Sequence, residues 1–198
     1  MNIIFDLCGV IVKWQPDQII NRFFNEDKIK ELVQSHILFH SDWKELDKGT
    51  LERSNAIKRA SSRTGLSIEI IDKMVDYIPK SLLPIQDTIN LMHSLKIRGH
   101  NLFLLTNIPI FSIEYLEKEY SFFNLFNGSV VSCRINTIKP ELEIFNYLIN
   151  KYNLSINESV FIDDTEINAN VASSLGIYSI KFENAFQCAK ELKNIKVL

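Results

Sequence analysis

The sequence predicts an α/β fold: a Rossmann-like parallel sheet core with a block of helices inserted into it. Three features carry this prediction. Five short apolar runs are continuous rather than alternating, as in strands covered on both faces. Beyond residue 85 these runs alternate with helical periodicity, the pattern of a parallel sheet flanked by helices. Between the first and second runs, residues 16–83 show helical patterns and no strand.

Taken in order, residues 2–5 form the first strand. In the helical block, Ile19, Ile20, Phe23 and Phe24 make one apolar face, and Ile29, Leu32 and Val33 make another. Residues 51–63 form a helix that stops before Gly65, and residues 68–77 form one that stops before Pro79. A right-handed crossover between parallel strands needs one helix; about four predict an insertion with its own small bundle. The remaining strands are 101–105, 129–131, 159–162 and 177–182. Helices are predicted at 88–98, closed by Gly99, at 112–120, at 141–152 and at 166–175, closed by Gly176. Residues 190–196 read as the solvated face of a terminal helix. The predicted division is a core of residues 1–15 and 85–198 and an inserted helical domain of residues 16–84.

Composition narrows the function. The chain has 198 residues, is 46% hydrophobic and 23% charged, and carries a net charge of −2. Such a chain buries a substantial core and lacks the basic excess of a dedicated nucleic-acid binder. No run approaches the roughly 18 apolar residues of a membrane span, and the first residues lack the basic region of a signal peptide. Cys8, Cys133 and Cys188 are odd in number and far apart, with no CxxC or HExxH spacing, so reduced thiols and a cytoplasmic setting are expected. The four histidines, His36, His40, His93 and His100, show no metal or triad spacing.

In open α/β sheets, ligands bind beyond the carboxyl ends of the strands. The residues expected there are polar: Asp6 and Cys8 after the first strand, Thr106 and Asn107 after the second, Lys139 beyond the third, and Asp163 and Asp164, with Asn168, after the fourth. Three crowded carboxylates repel unless a cation sits among them, and oxygen-only ligands suit Mg²⁺. A carboxylate can attack phosphorus to give an aspartyl-phosphate. Charge on the phosphoryl oxygens then needs a lysine, a hydroxyl and backbone N–H groups, for which Lys139, Thr106 and the strand-end loops are the candidates. Gly9 would let the backbone approach a phosphate closely.

These residues resemble, end to end, the motifs of the haloacid dehalogenase-like hydrolases. Residues 3–11, Ile-Ile-Phe-Asp-Leu-Cys-Gly-Val-Ile, are similar to motif I; Leu104-Leu105-Thr106-Asn107 to motif II; Lys139-Pro140 to motif III; and Phe161-Ile162-Asp163-Asp164, with Asn168, to motif IV. The insertion resembles a C1 cap. Residues 43–51, Trp-Lys-Glu-Leu-Asp-Lys-Gly-Thr-Leu, resemble a cap segment of the subgroup related to glucose-1-phosphate phosphatase and to the N-terminal phosphatase of soluble epoxide hydrolase. The resemblance implies a nucleophile at Asp6. It implies Mg²⁺ held by Asp6, the Cys8 carbonyl and Asp164, with Asp163 acting through water. Phosphoryl oxygens would be held by Thr106 and the Asn107 amide; Lys139 would bind the phosphoryl group and restrain Asp6, and Asn168 would brace the metal loop. The implied substrate is a small phosphorylated metabolite such as a sugar phosphate, with neither nucleic acid nor membrane as partner.

One position departs from the pattern. Most phosphatases of this family carry an acid/base Asp where Cys8 stands. A thiol with a pKa of about 8.5 is a poor proton donor at neutral pH, and general acid–base help is commonly worth about 10²–10⁴-fold. Slow turnover is expected. A catalytically weak phosphate-binding protein is the second reading, and a 2-haloacid dehalogenase, which has an aromatic residue at that position, a third. A Cys8 nucleophile would need Cys-x5-Arg, and the matching residue is Trp14. Trp14, Trp43 and Asp47 are the residues of the insertion and its border that could face substrate; packing between insertion and core is the alternative role, and the expected one, for the two tryptophans.

Overall fold

The computed structural model describes residues 1–198. Five parallel strands form one sheet in the order β3-β2-β1-β4-β5: β1 (Asn2–Phe5), β2 (Asn101–Thr106), β3 (Gly128–Val131), β4 (Ser159–Asp163) and β5 (Tyr178–Lys181). β1 is central, and Ile3, Ile4 and Phe5 are almost wholly buried, which is why its sequence is continuously apolar. On one face, Ile3, Phe5, Leu102, Leu104 and Val160 join the largest apolar cluster. On the other, Ile4, Phe103, Leu105 and Phe161 pack with Ile144, Phe145 and Leu148.

The helices are α1 (Pro16–Phe23), α2 (Asp27–Val33), α3 (Ser41–Lys48), α4 (Arg53–Thr64), α5 (Ile68–Ser81), α6 (Gln86–Ile97), α7 (Ile110–Glu119), the short α8 (Ser132–Ile135), α9 (Leu142–Tyr152), α10 (Glu166–Ser174) and α11 (Ala185–Asn194). A π-helical turn, Gln34–Leu38, follows α2. α1, α2, α4, α5 and this turn share a separate apolar cluster that includes Ile19, Ile20, Val33, Ile57, Ile71 and Met74. The chain leaves and re-enters the core on adjacent segments: Lys13 N–H donates to the Leu83 carbonyl at 2.8 Å, and Ile85 N–H to the Ile11 carbonyl at 2.8 Å. Trp14, beside this crossing, packs against both clusters. No helix is long and apolar enough to cross a membrane.

Two local expectations are corrected, and one helix, α3, adds to those expected. α5 continues through Pro79 to Ser81. Proline removes a single backbone donor, and the last turn is held by buried Ile78, in the cluster of the insertion, and buried Leu82, in that of the sheet. α3 carries too few apolar residues to show a periodic face; it is capped instead by His40, whose Nδ1 accepts from Asp42 N–H at 3.1 Å, and closed by left-handed Gly49. Thr106 and Asp163 are the last residues of β2 and β4 rather than the first of the following loops.

Candidate active site

The sheet topology gathers the polar residues. Chain connections run to opposite sides of β1, so the crevice opens where β1 and β4 end. Phe5 is in register with Ile162, and Asp6 N–H donates to the Ile162 carbonyl at 2.9 Å. Asp6 thus emerges beside Asp163. Ligand oxygens of Asp6, Asp163 and Asp164 lie within 4.8 Å of one another.

Lys139 is buried between two of these acids. Its Nζ lies 2.7 Å from Asp6 Oδ1 and 2.6 Å from Asp163 Oδ2. Burial alone would lower the ammonium's pKa; Asp6 and Asp163 more than offset this and hold it above its ordinary value. Asp6 is itself pushed up to about 7, first by burial and then by Asp163 and Asp164, against the pull of Lys139. One buried cation therefore does not neutralise the acids around it.

The two aspartates of β4 and its loop differ in their surroundings. Asp163 is fully buried and saturated with donors: Lys139 Nζ, Thr165 N–H at 2.8 Å, and Asn168 Nδ2 at 3.0 and 3.1 Å to its two oxygens. Asp164 is exposed, with a hydroxyl contact from Thr165 at 3.4 Å. Gly9 packs against this carboxylate: its φ is +83°, and a Cβ there would overlap Asp164.

The Asn107 side chain is bonded to the backbone of Lys139. Its Nδ2 donates to the Lys139 carbonyl at 2.8 Å, and its Oδ1 accepts from Lys139 N–H at 2.8 Å. Thr106 Oγ1 is one of two buried side-chain polar atoms without a hydrogen-bond partner. Leaving a buried hydroxyl unpaired costs about 1–3 kcal/mol, so this one is suited to an oxygen-bearing ligand.

Cys8 lines a cavity of about 500 Å³ between the sheet end and the insertion, together with Trp14, Trp43, Asp47, Asn107 and Lys139. Its thiol is pushed well above the ordinary range by burial, then by Asp6 and Asp47, so it stays protonated. All three cysteines are unpaired.

Sequence reasoning missed Ser132. Its hydroxyl accepts from Ile108 N–H at 3.0 Å and donates to the Asp47 carbonyl at 2.5 Å, joining the loop after β2 to α3. It is the first residue after β3 and is fully buried. The strand-end rule that singled out Asp6 applies to it equally.

Comparison with known proteins gives a consistent picture. The family model described as haloacid dehalogenase-like hydrolase matches residues 3–182. The chain is 24% identical over 192 residues to a sesquiterpene phosphatase of Aspergillus oryzae, covering 97% of this chain and 94% of that one. It is 22% identical to a D-ribitol-5-phosphate phosphatase of Bacteroides thetaiotaomicron, covering 96% of each. Among solved structures, an enzyme of Bacteroides thetaiotaomicron in complex with magnesium and inorganic phosphate superposes with a TM-score of 0.74 at 25% identity, covering 92% of this chain and 93% of that chain.

Proposed function

The chain belongs to the haloacid dehalogenase-like hydrolases, and from that premise we propose that it is a magnesium-dependent phosphatase that cleaves a small phosphomonoester through an aspartyl-phosphate on Asp6. The observation that carries this reading is Lys139 buried between Asp6 and Asp163, with Asp164 completing an acidic cluster that one lysine leaves under-neutralised. The relatives named phosphatases and the neighbour bound to magnesium and phosphate support it.

The donor set fits magnesium: clustered carboxylate oxygens, no histidine and no cysteine sulfur. Asp6, the Cys8 carbonyl and Asp164 would hold the ion directly. Asp163, whose oxygens are already taken by Lys139, Asn168 and Thr165, would act through water. When bound, the cation supplies positive charge that keeps Asp6 ionised and offsets charge on the phosphoryl oxygens.

The chain's own residues do the rest. An Asp6 oxygen attacks phosphorus, and the bond to the leaving oxygen breaks. Lys139 keeps Asp6 in place and draws charge from the phosphoryl group, and Thr106 Oγ1 and the Asn107 N–H donate to its oxygens. Water then attacks the aspartyl-phosphate and releases phosphate. Residues 16–84 form the cap and residues 1–15 and 85–198 the core, so the cavity between them receives the leaving group and excludes bulk water. The unpaired cysteines suit a reducing, cytoplasmic compartment.

The test is magnesium-dependent phosphate release across p-nitrophenyl phosphate, sugar and polyol phosphates and an isoprenoid monophosphate. Turnover on at least one, abolished in Asp6→Asn, is expected. Undiminished release by Asp6→Asn overturns the nucleophile assignment. The protonated Cys8 thiol favours one competing reading, a phosphate-binding protein with little catalysis; magnesium-dependent phosphate binding with no turnover on any substrate would establish it.

A further inference from the structure

The proposed reaction needs a proton donor for the leaving oxygen, and the core does not offer one. Cys8, at the position two residues beyond the nucleophile, carries a thiol and no carboxyl group. Lys139 is held between two carboxylates. Across the cavity, α3 presents Asp47, the one carboxyl group among the residues that line it. His40 and Lys44 also line the cavity from this segment. The His40 ring is engaged as the cap of α3, and it stands about 10 Å from Asp47 along the helix axis at 1.5 Å per residue.

Asp47 is held firmly. The buried Ser132 hydroxyl donates to its carbonyl at 2.5 Å. One residue on, the Lys48 carbonyl accepts from Asn136 Nδ2 at 3.0 Å, and Lys48 Nζ pairs with Glu141 at 2.8 Å. Gly49 then packs so closely on the Cys133 carbonyl that a Cβ would overlap it. The C-terminal end of α3 is therefore stitched to the segment after β3, and Ser132 ties it in turn to the loop after β2 that carries Asn107. By contrast, the Asp47 carboxyl group takes part in no ion pair; burial and then the negative Asp6 push it up to about 8. An unpaired carboxyl group that lines the cavity from an anchored backbone is placed to serve as an acid.

We propose that Asp47 is the general acid and base of this hydrolase, supplied from the insertion in place of the group absent at Cys8. The proposal rests on the phosphatase reading. In the first step an Asp6 oxygen bonds to phosphorus, the bond from phosphorus to the leaving oxygen breaks with its electron pair passing to that oxygen, and the Asp47 proton converts it to an alcohol. In the second, the Asp47 carboxylate takes a proton from water as the water oxygen bonds to phosphorus. The Asp6–phosphorus bond breaks, returning its pair to Asp6 and freeing inorganic phosphate.

The test compares Asp47→Asn with the unsubstituted protein on an alkyl phosphomonoester that the latter turns over and on p-nitrophenyl phosphate, whose leaving group needs little protonation. kcat/KM reports the steps up to loss of the leaving group. It is expected to fall by about 10²-fold or more on the alkyl ester and by less than about 10-fold on the aryl ester. A burst of about one equivalent of nitrophenol is expected as the aspartyl-phosphate accumulates. Adding Cys8→Asp to Asp47→Asn is expected to restore at least about a tenth of the lost alkyl-ester activity, by returning an acid to the core. Equal losses on both esters, or an alkyl-ester kcat/KM within twofold of the unsubstituted protein, overturn the assignment of Asp47. If the unsubstituted protein releases phosphate from no member of the substrate panel above, the phosphatase reading fails and the Asp47 proposal falls with it. Undiminished release by Asp6→Asn instead overturns only the nucleophile.

Discussion

Asn107 and Lys139 are joined twice: the side-chain amide of Asn107 both donates to the Lys139 carbonyl and accepts from the Lys139 N–H, each at 2.8 Å. Residues 32 positions apart are thereby locked together as strand neighbours would be, although neither lies in a strand. The Lys139 side chain then reaches Asp6 and Asp163 from a fixed backbone. The asparagine that sequence reading assigns to phosphate through its amide also places the lysine, through its side chain.

Replacing Asn107 by Ala leaves a backbone donor and a backbone acceptor without partners. Each loss costs about 1–3 kcal/mol when buried. A melting temperature several degrees lower is expected, at roughly 2–4 °C per kcal/mol for a chain of this size. kcat should fall at least about 10-fold, because displacement of a charged group by about 1 Å can cost as much as 10²-fold. Differential scanning calorimetry and a phosphate-release assay check the two effects. An unchanged kcat would show that Lys139 holds its place without Asn107.

Lys139→Met removes the buried cation and leaves Asp6 and Asp163 facing each other. Breaking such a pair from one side commonly costs about 3–5 kcal/mol. The loss should be largest in EDTA and partly recovered by magnesium, which places positive charge near the same oxygens. Thermal melts with and without the metal measure it. Equal destabilisation in both conditions would argue that the ion binds elsewhere.

The fold and the gathering of polar residues around Asp6 are legible in the sequence because both follow from short-range patterns. Continuous apolar runs such as Ile3-Ile4-Phe5 identify central strands, and the polar residue that ends each run marks the crevice. α3 is not legible in the same way: it buries little beyond Leu46 and Asp42, so no helical stripe appears, and its cap is a histidine. The partners of Ser132 and Asn107 depend on contacts 85 and 32 residues away in the chain. Local pattern carries no trace of such distances. The proline at position 79 misleads for a further reason: tertiary packing of the last turn outweighs one missing hydrogen bond.

pH should act on the metal-free protein in a definite direction. Asp6 is held up to about 7 and Asp47 up to about 8, from an ordinary value of 3.8. Between the ordinary and raised values, the unfolded chain is ionised while the folded chain keeps its protons. The folded state thus binds more protons, and stability falls as pH rises through that window. In EDTA, a melting temperature several degrees lower at pH 8 than at pH 5.5 is expected. Magnesium favours ionised Asp6, so it should raise the pH 8 value more than the pH 5.5 value. Asp47→Asn should shallow the EDTA slope. A melting temperature that instead rises from pH 5.5 to pH 8 in EDTA would contradict the burial of these two groups.

Gly9→Ala tests the metal loop independently of any proton transfer. Gly9 adopts φ +83°, which costs an L residue roughly 1–2 kcal/mol. The added Cβ would also overlap the Asp164 carboxylate, and Asp164, being exposed, can yield by swinging outward. That motion removes the acid proposed to ligate magnesium directly while leaving buried Asp163 with its lysine, asparagine and backbone donors. The expected result is a magnesium requirement raised by at least about 10-fold, the equivalent of about 1.4 kcal/mol, with the modest loss of stability that a single strained residue brings. Titration calorimetry with magnesium alone reads the first effect, and melting in EDTA reads the second. If magnesium affinity is unchanged while stability falls, Asp164 is not a direct ligand, and the saturated Asp163 would have to be reconsidered for that role.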